Sequence, residues 1–460
     1  MSERLDLLIR QGLVVTPEGV QRKDVGVLRG RIVRVAEAIS DAAVAEIDAT
    51  GLHLFPGILD AHVHFNEPGR ADWEGLDTGP RALAAGGGTW FCDMPLNSTP
   101  PVIDAAKAAE KRRIAEKKSV LDFSIWGGLV PGNLEQLGGL RDAGVIGLKA
   151  FMCGSGIDEF PGVTDAATLR AGMKRAAALG LLVAVHAEDE AMAQRLTVAM
   201  RARGATDPRS WLATRPVAVE LAAIRTATEL AGETGCALHV VHVSSPEGID
   251  LIASARRQGV NVTAETCPHY LLLDEEDVVR LGAPAKCTPP LRTEAQRLDL
   301  WRKVAEGGVD TIGSDHSPAP PAMKTAADFF AIWGGISGCQ HGFPLLISEA
   351  AKGALPAERA LPILASLLAD EVARRFRLAH KGRIAEGFDA DFSLLDLGAP
   401  HVLTNAEVRY RHRQGPYDGR GSTVRVKRTV LRGRTVYSEG QVASIEPAGN
   451  FIPPSPDTHA

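Results

Sequence analysis

Six residues that could bind metal ions or transfer protons stand at the ends of five short apolar runs. The runs are LFPGILDAHVHFNEPG, VIGLKAFMC, LLVAVHAED, ALHVVHVSS and VDTIGSDHSPAPP, and the residues are His62, His64, Lys149, His186, His242 and Asp315. Imidazole and carboxylate groups are common metal ligands, and both also act as general acids or bases. Because the same placement recurs at five runs, a single functional site would explain all six residues. Each residue taken alone could also have a purely structural role.

The histidines, taken singly, allow two interpretations. His62 and His64 are two positions apart, so in a strand their side chains point to the same side and form a chelate. They could equally be histidines near a turn without a functional role. His186 and His242 could be hydrogen-bonded core residues. We expect that role for His239, whose position in its strand differs in parity from that of His242.

Lys149 and Asp315 are also open to two interpretations. A lysine that ends an apolar run is costly to bury unless it is paired or chemically changed. Lys149 could be salt-bridged, or it could be a neutral amine carboxylated by CO2, whose carbamate would bridge two metal ions. Asp315 lies in a Gly/Ser/Pro-rich loop, where it could cap a turn or present its carboxylate to a ligand.

The elements that must position these residues alternate regularly between residue 53 and about residue 380. Short apolar runs such as TWFCDM and VIGLKAF are each followed by an Ala-rich amphipathic segment such as AAKAAEKRRIAEKK. This alternation predicts parallel strands with crossover helices, and seven or eight such units favour a TIM-like (β/α)8 barrel in the α/β class. The sequence contains neither a GxGxxG motif nor a P-loop motif, so an open nucleotide-binding sheet is not favoured.

A barrel of this kind brings the C-terminal ends of its strands to one mouth, where functional residues lie. One binuclear site then explains all six residues together. His62, His64 and Asp315 would hold one metal ion, and His186 and His242 would hold the other. Carboxylated Lys149 would bridge them, with a hydroxide shared by two metals about 3.5–4 Å apart.

The two ends of the chain have a different texture, with short strands broken by Gly and charged turns. LDLLIRQGLVV and DVGVLRGRIVRVA represent the first end, and GRIAEGFDADFSLLDL, VLTNAEVRYRH and STVRVKRTVLRGRTVYSEGQV the second. We predict a small β-sandwich built from residues 1–52 and 381–440 beside a barrel of residues 53–380. Residues 441–460 form a Pro-rich tail that we expect to lie extended on the surface.

Composition excludes several classes of function. The formal charge is -5, which gives no support to a nucleic-acid binder. No run approaches 18 apolar residues, so no membrane helix is expected. The six cysteines are far apart and the N-terminus has no apolar signal region, which together favour reduced thiols in a cytoplasmic protein.

The motifs DAHVHFNEPG, GLKAF, VHAED, HVSS and SDHSP occur in the order found in the cyclic amidohydrolases, which include dihydroorotase, hydantoinase, dihydropyrimidinase and allantoinase. The resemblance covers nearly the whole chain, including the sandwich. It implies a metal-dependent hydrolase of a small cyclic amide, a lysine carbamate and commonly a homotetramer. Zinc is the preferred metal, and cobalt, iron and manganese accept the same ligands. A non-catalytic scaffold relative would be expected to lack some ligands, and none is missing.

Within this family the motifs are most similar to those of the allantoinase branch. The similarity rests on HVHFNEPGRADWEG, CDMPLNSTPP, KAFMCGSGIDEFP, KCTPPLR, SDHSPAPP and WGGISGCQ. Dihydroorotases typically carry an arginine where this chain has Asn66, and an amide cannot neutralise a substrate carboxylate. Hydantoinases and dihydropyrimidinases usually place a tyrosine shortly after the bridging lysine, and FMCGSGIDEF has none. Hydantoinase, dihydropyrimidinase or dihydroorotase activity on a related cyclic amide is the alternative to ring hydrolysis of allantoin.

The resemblance also implies roles around the metal site. Asp315 would take the proton of the attacking hydroxide and return it to the departing ring nitrogen. The Gly-rich segment from Cys153 to Gly162 could close over the substrate. The substrate contacts we expect are Asn66, Asn97, Cys287, Thr288 and Ser317.

Overall fold

The chain begins with extended segments that are rich in valine, isoleucine and leucine. The computed structural model describes residues 4–439 and 446–456. The first strands are β1 (Leu5–Thr16), β2 (Gly19–Leu28), β3 (Arg31–Ala36), β4 (Ala43–Asp48) and β5 (His53–Pro56). β1 and β2 pair antiparallel, as do β2 and β3, while β4 and β5 each run parallel to β1.

The predicted barrel follows directly, and its strands are the apolar runs singled out in the sequence. They are β6 (Ile58–Val63), β7 (Gly88–Asp93), β8 (Asp122–Ile125), β9 (Gly127–Gly128), β10 (Leu148–Phe151), β11 (Val183–His186), β12 (Leu238–Val240), β13 (Val262–Thr266) and β14 (Thr311–Ile312). The strands pair in parallel in two groups, β6-β7-β8 and β9 to β14. Bonds from Ile146 N to Ile125 O and from His64 N to His316 O join the groups. The TIM-like barrel is confirmed.

Helices connect successive barrel strands, as the Ala-rich segments predict. They are α1 (Gly79–Ala85), α2 (Ala105–Lys118), α3 (Leu137–Asp142), α4 (Ala166–Ala178), α5 (Glu190–Arg201), α6 (Pro208–Leu212), α7 (Val217–Thr234), α8 (Pro246–Arg257), α9 (Pro268–Leu272), α10 (Glu275–Leu281), α11 (Glu294–Ala305), α12 (Gly342–Glu349), α13 (Ala360–Ala365) and α14 (Glu371–Arg375). Several begin at an aspartate, such as Asp104 before α2, whose carboxylate accepts from the backbone of Lys107. No helix in the described part of the chain combines the length and apolar character needed to cross a bilayer.

The chain then returns to the first strands. The last strands are β15 (Phe392–Asp396), β16 (His401–Val402), β17 (Gly421–Ser422), β18 (Arg425–Leu431) and β19 (Arg434–Ser438). β15 pairs with both β5 and β18, so one eight-stranded sheet in the order β19-β18-β15-β5-β1-β2-β3, with β4 beside β1, contains both ends of the chain. This confirms the β-sandwich domain made from both termini. β5, which a boundary at residue 52 would assign to the barrel, belongs to this sheet.

A buried ionic cluster joins this domain to the barrel. Lys381 Nζ lies 2.6 Å from Asp122 Oδ2, 2.9 Å from Asp389 Oδ2 and 2.7 Å from Asp391 Oδ2. Arg432 also pairs with Asp122, which is part of barrel strand β8. The three carboxylates are close enough to ligate a metal ion. The Lys381 ammonium, which is fully buried, already supplies the positive charge there.

One expectation about the C-terminal part was wrong, and one agrees with the structure. VLTNAEVRYRH forms a strand only at His401–Val402, because its backbone turns to bury Val408 and Tyr410 in the core. The described part of the tail is extended on the surface, as expected: its residues are exposed or half-buried, and Ile452 N donates to Phe123 O at 2.8 Å. Residues 441–445 and 457–460 of the predicted tail lie outside the described residues.

Candidate metal centre

The barrel brings the six candidate ligands to the C-terminal ends of its strands. His62 lies in β6, Lys149 in β10 and His186 at the end of β11. His242 and Asp315 follow β12 and β14 by two and three residues. Together with His64, all of them line one small cavity. Five separate segments therefore supply one site, as the sequence predicts for a barrel mouth.

The first group consists of His62, His64 and Asp315. Oδ1 of Asp315 lies 3.3 Å from Nε2 of His62 and 3.4 Å from Nε2 of His64. Burial raises the pKa of the Asp315 carboxyl, but the imidazoles of His62 and His64 outweigh it and hold that pKa well below its usual range. Two imidazole nitrogens and an ionised carboxylate around one point form a suitable donor set for a divalent transition metal.

The second group consists of His186 and His242. Nδ1 of His186 lies 3.0 Å from Nε2 of His242, and both rings are buried. Burial lowers the pKa of both imidazoles, which favours the neutral form that a metal requires. The rings of His62 and His242 have centroids 5.4 Å apart, so the second group directly adjoins the first. The two groups thus offer neighbouring donor sets.

Lys149 is the most unusual residue of the cavity. Its side chain is completely buried, and Nζ has no hydrogen-bond partner among the described residues. Burial lowers the pKa of this amine to about 8, despite the opposing effect of Asp315. A buried ammonium without a partner is strongly unfavourable, whereas a neutral amine is able to react with CO2. The position therefore fits the predicted carbamate better than a structural salt bridge.

Two carboxylates that the sequence analysis missed hold the histidines in place. Oε1 of Glu265 lies 2.7 Å from Nδ1 of His62, and Oε2 of Glu188 lies 2.9 Å from Nε2 of His186. Despite burial, which raises it, His62 and His239 lower the pKa of Glu265 to about 2. Carboxylates of this kind fix the tautomer and orientation of metal-binding imidazoles. The signal was present, since Glu265 is the last residue but one of strand β13 and Glu188 follows His186 by two residues.

The predicted substrate contacts fall into two groups. Asn97, Cys287, Thr288 and Ser317 line the cavity. Nδ2 of Asn97 also lies 3.3 Å from Nδ1 of His64, which gives this amide a role in orienting that ring. Asn66 is completely buried outside the cavity lining, where its Nδ2 donates to the carbonyl of Pro318 at 3.4 Å.

The backbone is in the left-handed region at several site residues. Asn66 and Asn97 both have φ of 65°, while His242 has φ of 42° and Asp315 has φ of 43°. A residue other than glycine in this region stores about 1–3 kcal/mol of strain, and such residues cluster at functional sites. The strain turns His242 and Asp315 away from their strand directions.

Comparison with known proteins agrees with this arrangement. The sequence profile of the amidohydrolase family matches residues 53–436. The chain belongs to the amidohydrolase family and is a metal-dependent cyclic amidohydrolase.

Its relatives narrow the resemblance further. The chain is 49% identical to an allantoinase of Deinococcus radiodurans over 451 residues, which cover 98% of this chain and 99% of that one. It is 50% identical to an allantoinase of Rubrobacter xylanophilus over 454 residues, with 98% of each chain covered. Among solved structures, the L-hydantoinase (dihydropyrimidinase) of Arthrobacter aurescens superposes with a TM-score of 0.94 at 31% identity, covering 98% of this chain and 100% of that one.

Proposed function

We propose that this protein hydrolyses the ring amide of allantoin and releases allantoate. The single observation that carries hydrolysis is the unpartnered, buried amine of Lys149 beside two groups of imidazole ligands. The allantoinases of Deinococcus radiodurans and Rubrobacter xylanophilus, about half identical over nearly the full length, support allantoin as the substrate.

The lining of the cavity supports a neutral substrate. Among the described residues that line it, Lys149 is the one lysine and there is no arginine, and the proposal makes Lys149 a carbamate. A ring that carries a carboxylate, such as dihydroorotate, would therefore lack a guanidinium partner for that charge. Allantoin is uncharged, and its carbonyl and N–H groups can pair with neutral polar groups such as Asn97, Thr288 and Ser317.

Two divalent metal ions fit the donors. His62, His64 and Asp315 would hold one, His186 and His242 the other, and carboxylated Lys149 would bridge them. Zinc is the metal we favour, and cobalt, iron or manganese suits the same donors. When bound, the metals polarise the ring carbonyl and supply a hydroxide at neutral pH.

Asp315 is the residue we assign to proton transfer. Its depressed pKa keeps it ionised at neutral pH, and its Oδ1 lies at the centre of the first group. It would accept the proton released during attack on the carbonyl carbon and return it to the ring nitrogen as the C–N bond breaks. Glu265 and Glu188 keep the histidines oriented, and Asn97 keeps the ring of His64 in place.

Assembly and location complete the proposal. We expect a homotetramer, as is common among the cyclic amidohydrolases, and sedimentation velocity would measure it. We expect a cytoplasmic location, which agrees with six cysteines that are all buried as free thiols. For the domains, we propose a barrel of residues 53–380 and a sandwich of residues 1–52 with 381–440, except that β5 (His53–Pro56) pairs with the sandwich sheet.

Activity on hydantoins or dihydropyrimidines is the second candidate. The fold similarity to the Arthrobacter aurescens L-hydantoinase, with a TM-score of 0.94, favours it. We would load the purified protein with metal and bicarbonate and offer allantoin, hydantoin, dihydrouracil and dihydroorotate separately. The proposal requires the highest kcat/KM for allantoin. A higher kcat/KM for another ring would identify that ring as the substrate. Absence of bound metal would instead favour a non-catalytic scaffold protein.

A further inference from the structure

Trp333 stands at the mouth of the metal cavity with an unused hydrogen-bond donor. It lies in the segment that follows β14 and lines the cavity together with Gly334 and Gly335. Its Nε1 is buried and has no partner among the described residues. The ring as a whole keeps partial exposure, unlike the metal-binding histidines beneath it.

Three buried tryptophans of the chain show a donor of this kind with its partner. Nε1 of Trp90 donates to Ser124 at 3.1 Å, that of Trp126 to Ala61 O at 2.9 Å, and that of Trp301 to Leu271 O at 2.8 Å. A buried N–H that lacks an acceptor costs about 1–3 kcal/mol. The exception at Trp333 therefore indicates that its acceptor belongs to a ligand of the cavity.

Two neighbours lie against the ring of Trp333, and neither offers an acceptor to its N–H. Trp73 packs edge-on against it, with ring centroids 5.2 Å apart. A Cβ placed on Gly156 would lie 3.7 Å from Cζ3 and 3.8 Å from Cη2, which are atoms of the six-membered ring on the side away from Nε1. Segments around residues 73 and 156 thus support the ring from the apolar side.

The backbone that carries Trp333 is fixed by two lysines, of which Lys286 is buried and Lys324 is half-buried. Nζ of Lys324 donates to the carbonyls of Trp333 at 2.9 Å and Gly335 at 2.7 Å. Nζ of Lys286 donates to the carbonyls of Phe329 at 2.6 Å and Ile332 at 2.5 Å. These ammonium groups hold the segment before any ligand arrives, so that little ordering remains for binding.

The position of the ring decides which oxygen of the substrate it meets. Hydrolysis brings the reacting ring carbonyl to the buried histidines at the strand ends, and the rest of the molecule then extends toward the mouth. On the proposed function, that remainder is the ureido arm of allantoin. We infer that Trp333 Nε1 donates a hydrogen bond to the ureido carbonyl oxygen, which makes Trp333 a residue that selects ureido-bearing rings.

The experiment compares Trp333→Phe with the unsubstituted protein on two ligands. Phenylalanine keeps an aromatic ring but removes the N–H, and hydantoin is the same ring without the ureido arm. We expect kcat/KM for allantoin to fall by about tenfold, in line with one lost hydrogen bond. We expect the constant for hydantoin, measured as a substrate or as a competitive inhibitor, to change by less than about twofold. Trp73→Phe serves as control, and any effect it has should be equal for both ligands.

The outcomes separate the inference from the function on which it rests. If Trp333→Phe weakens both ligands equally, or weakens neither, Trp333 has only a packing role and the inference is wrong. In either case the unsubstituted protein still hydrolyses allantoin, and the proposed function stands. If the unsubstituted, metal-loaded protein fails to hydrolyse allantoin, the proposed function is wrong and the inference falls with it.

Discussion

Nδ1 of His62 lies 2.7 Å from Oε1 of Glu265, although 203 residues separate the two in sequence. Both side chains are 1% exposed. The contact occupies one ring nitrogen and leaves Nε2 directed at Asp315, 3.3 Å away. Glu265 therefore controls which ring nitrogen of His62 is available to a metal ion.

Replacing Glu265 with glutamine tests this control. Glu265→Gln keeps an oxygen near Nδ1 but loses the negative charge, so we expect metal affinity to fall by about 10–100-fold. Titration of the apoprotein with zinc would measure the change. The matched control is Asp24→Asn, which neutralises a buried carboxylate in the sandwich, far from the site. An unchanged affinity in Glu265→Gln would contradict the orienting role.

Lys149→Ala removes the proposed bridge. We expect the variant to lose most of its metal and activity, because each metal loses a shared anionic ligand. Acetate or propionate should restore part of both by taking the place of the carbamate. Metal analysis and turnover would be measured together, with the exposed Lys174 changed to alanine as control. A crystal structure with an unmodified Lys149 amine and a single metal would rule out the bridge.

Asp315→Asn tests proton transfer. The amide can still occupy the same space but cannot take a proton, so kcat should fall by about 10²–10⁴-fold while the fold is retained. Turnover assays on metal-loaded protein would measure kcat, and circular dichroism would check that the fold is retained. Metal content has to be determined in the same samples, because Asp315 is also a proposed ligand. Near-normal kcat would exclude Asp315 as the proton carrier.

Protonation of His341 is expected to lower the stability of the folded protein in mild acid. Burial and the neighbouring imidazole of His401 lower the pKa of His341 to about 4. Between about pH 6.5 and pH 4 the unfolded chain binds a proton there that the folded chain does not, so stability falls as the pH falls. From pH 7 to pH 5 this costs about 2 kcal/mol. Between pH 7 and pH 5, the unfolding free energy of His341→Gln should therefore fall by about 2 kcal/mol less than that of the unsubstituted protein, as measured by urea unfolding. His380→Gln, an exposed site, should not.

Lys381→Met tests the ionic cluster between the domains. The substitution leaves the carboxylates of Asp122, Asp389 and Asp391 without their shared ammonium. Breaking a buried ion pair by removing one partner costs about 3–5 kcal/mol, so a clear drop in the thermal unfolding temperature is expected. Lys352→Met, at an exposed lysine, should change stability by less than about 0.5 kcal/mol. Equal effects of the two substitutions would contradict a role in joining the domains.

Features with a local signature were predictable from the sequence. The segment AAKAAEKRRIAEKK coincides with α2, Ala105–Lys118, because its composition favours a helix and Asp104 supplies the cap. The six proposed ligands could be found because each one follows an apolar run, and a barrel brings the ends of such runs together. Neither inference needed knowledge of distant contacts.

Features that depend on distant contacts were not predictable. The contact between Glu265 and His62 depends on how two strands far apart in sequence are placed around the barrel. Asn66 is a second example: the motif predicts a substrate contact, and nothing in the sequence indicates that a left-handed backbone directs its amide toward Pro318. The segment around Tyr410 carries strand-forming residues but serves to bury individual side chains. Tertiary packing overrides local preference in such segments.

The pairing of β5 with β15 also has a consequence for synthesis on the ribosome. Leu54 pairs with Leu394, so one edge of the N-terminal strands stays open until the second partner has been made. At about 5–20 residues per second, the intervening 340 or so residues take roughly 20–70 s. Throughout that interval the nascent chain presents an apolar strand edge, which is a template for aggregation. The position of β15 in the sequence thus sets how long β5 stays without this partner during synthesis.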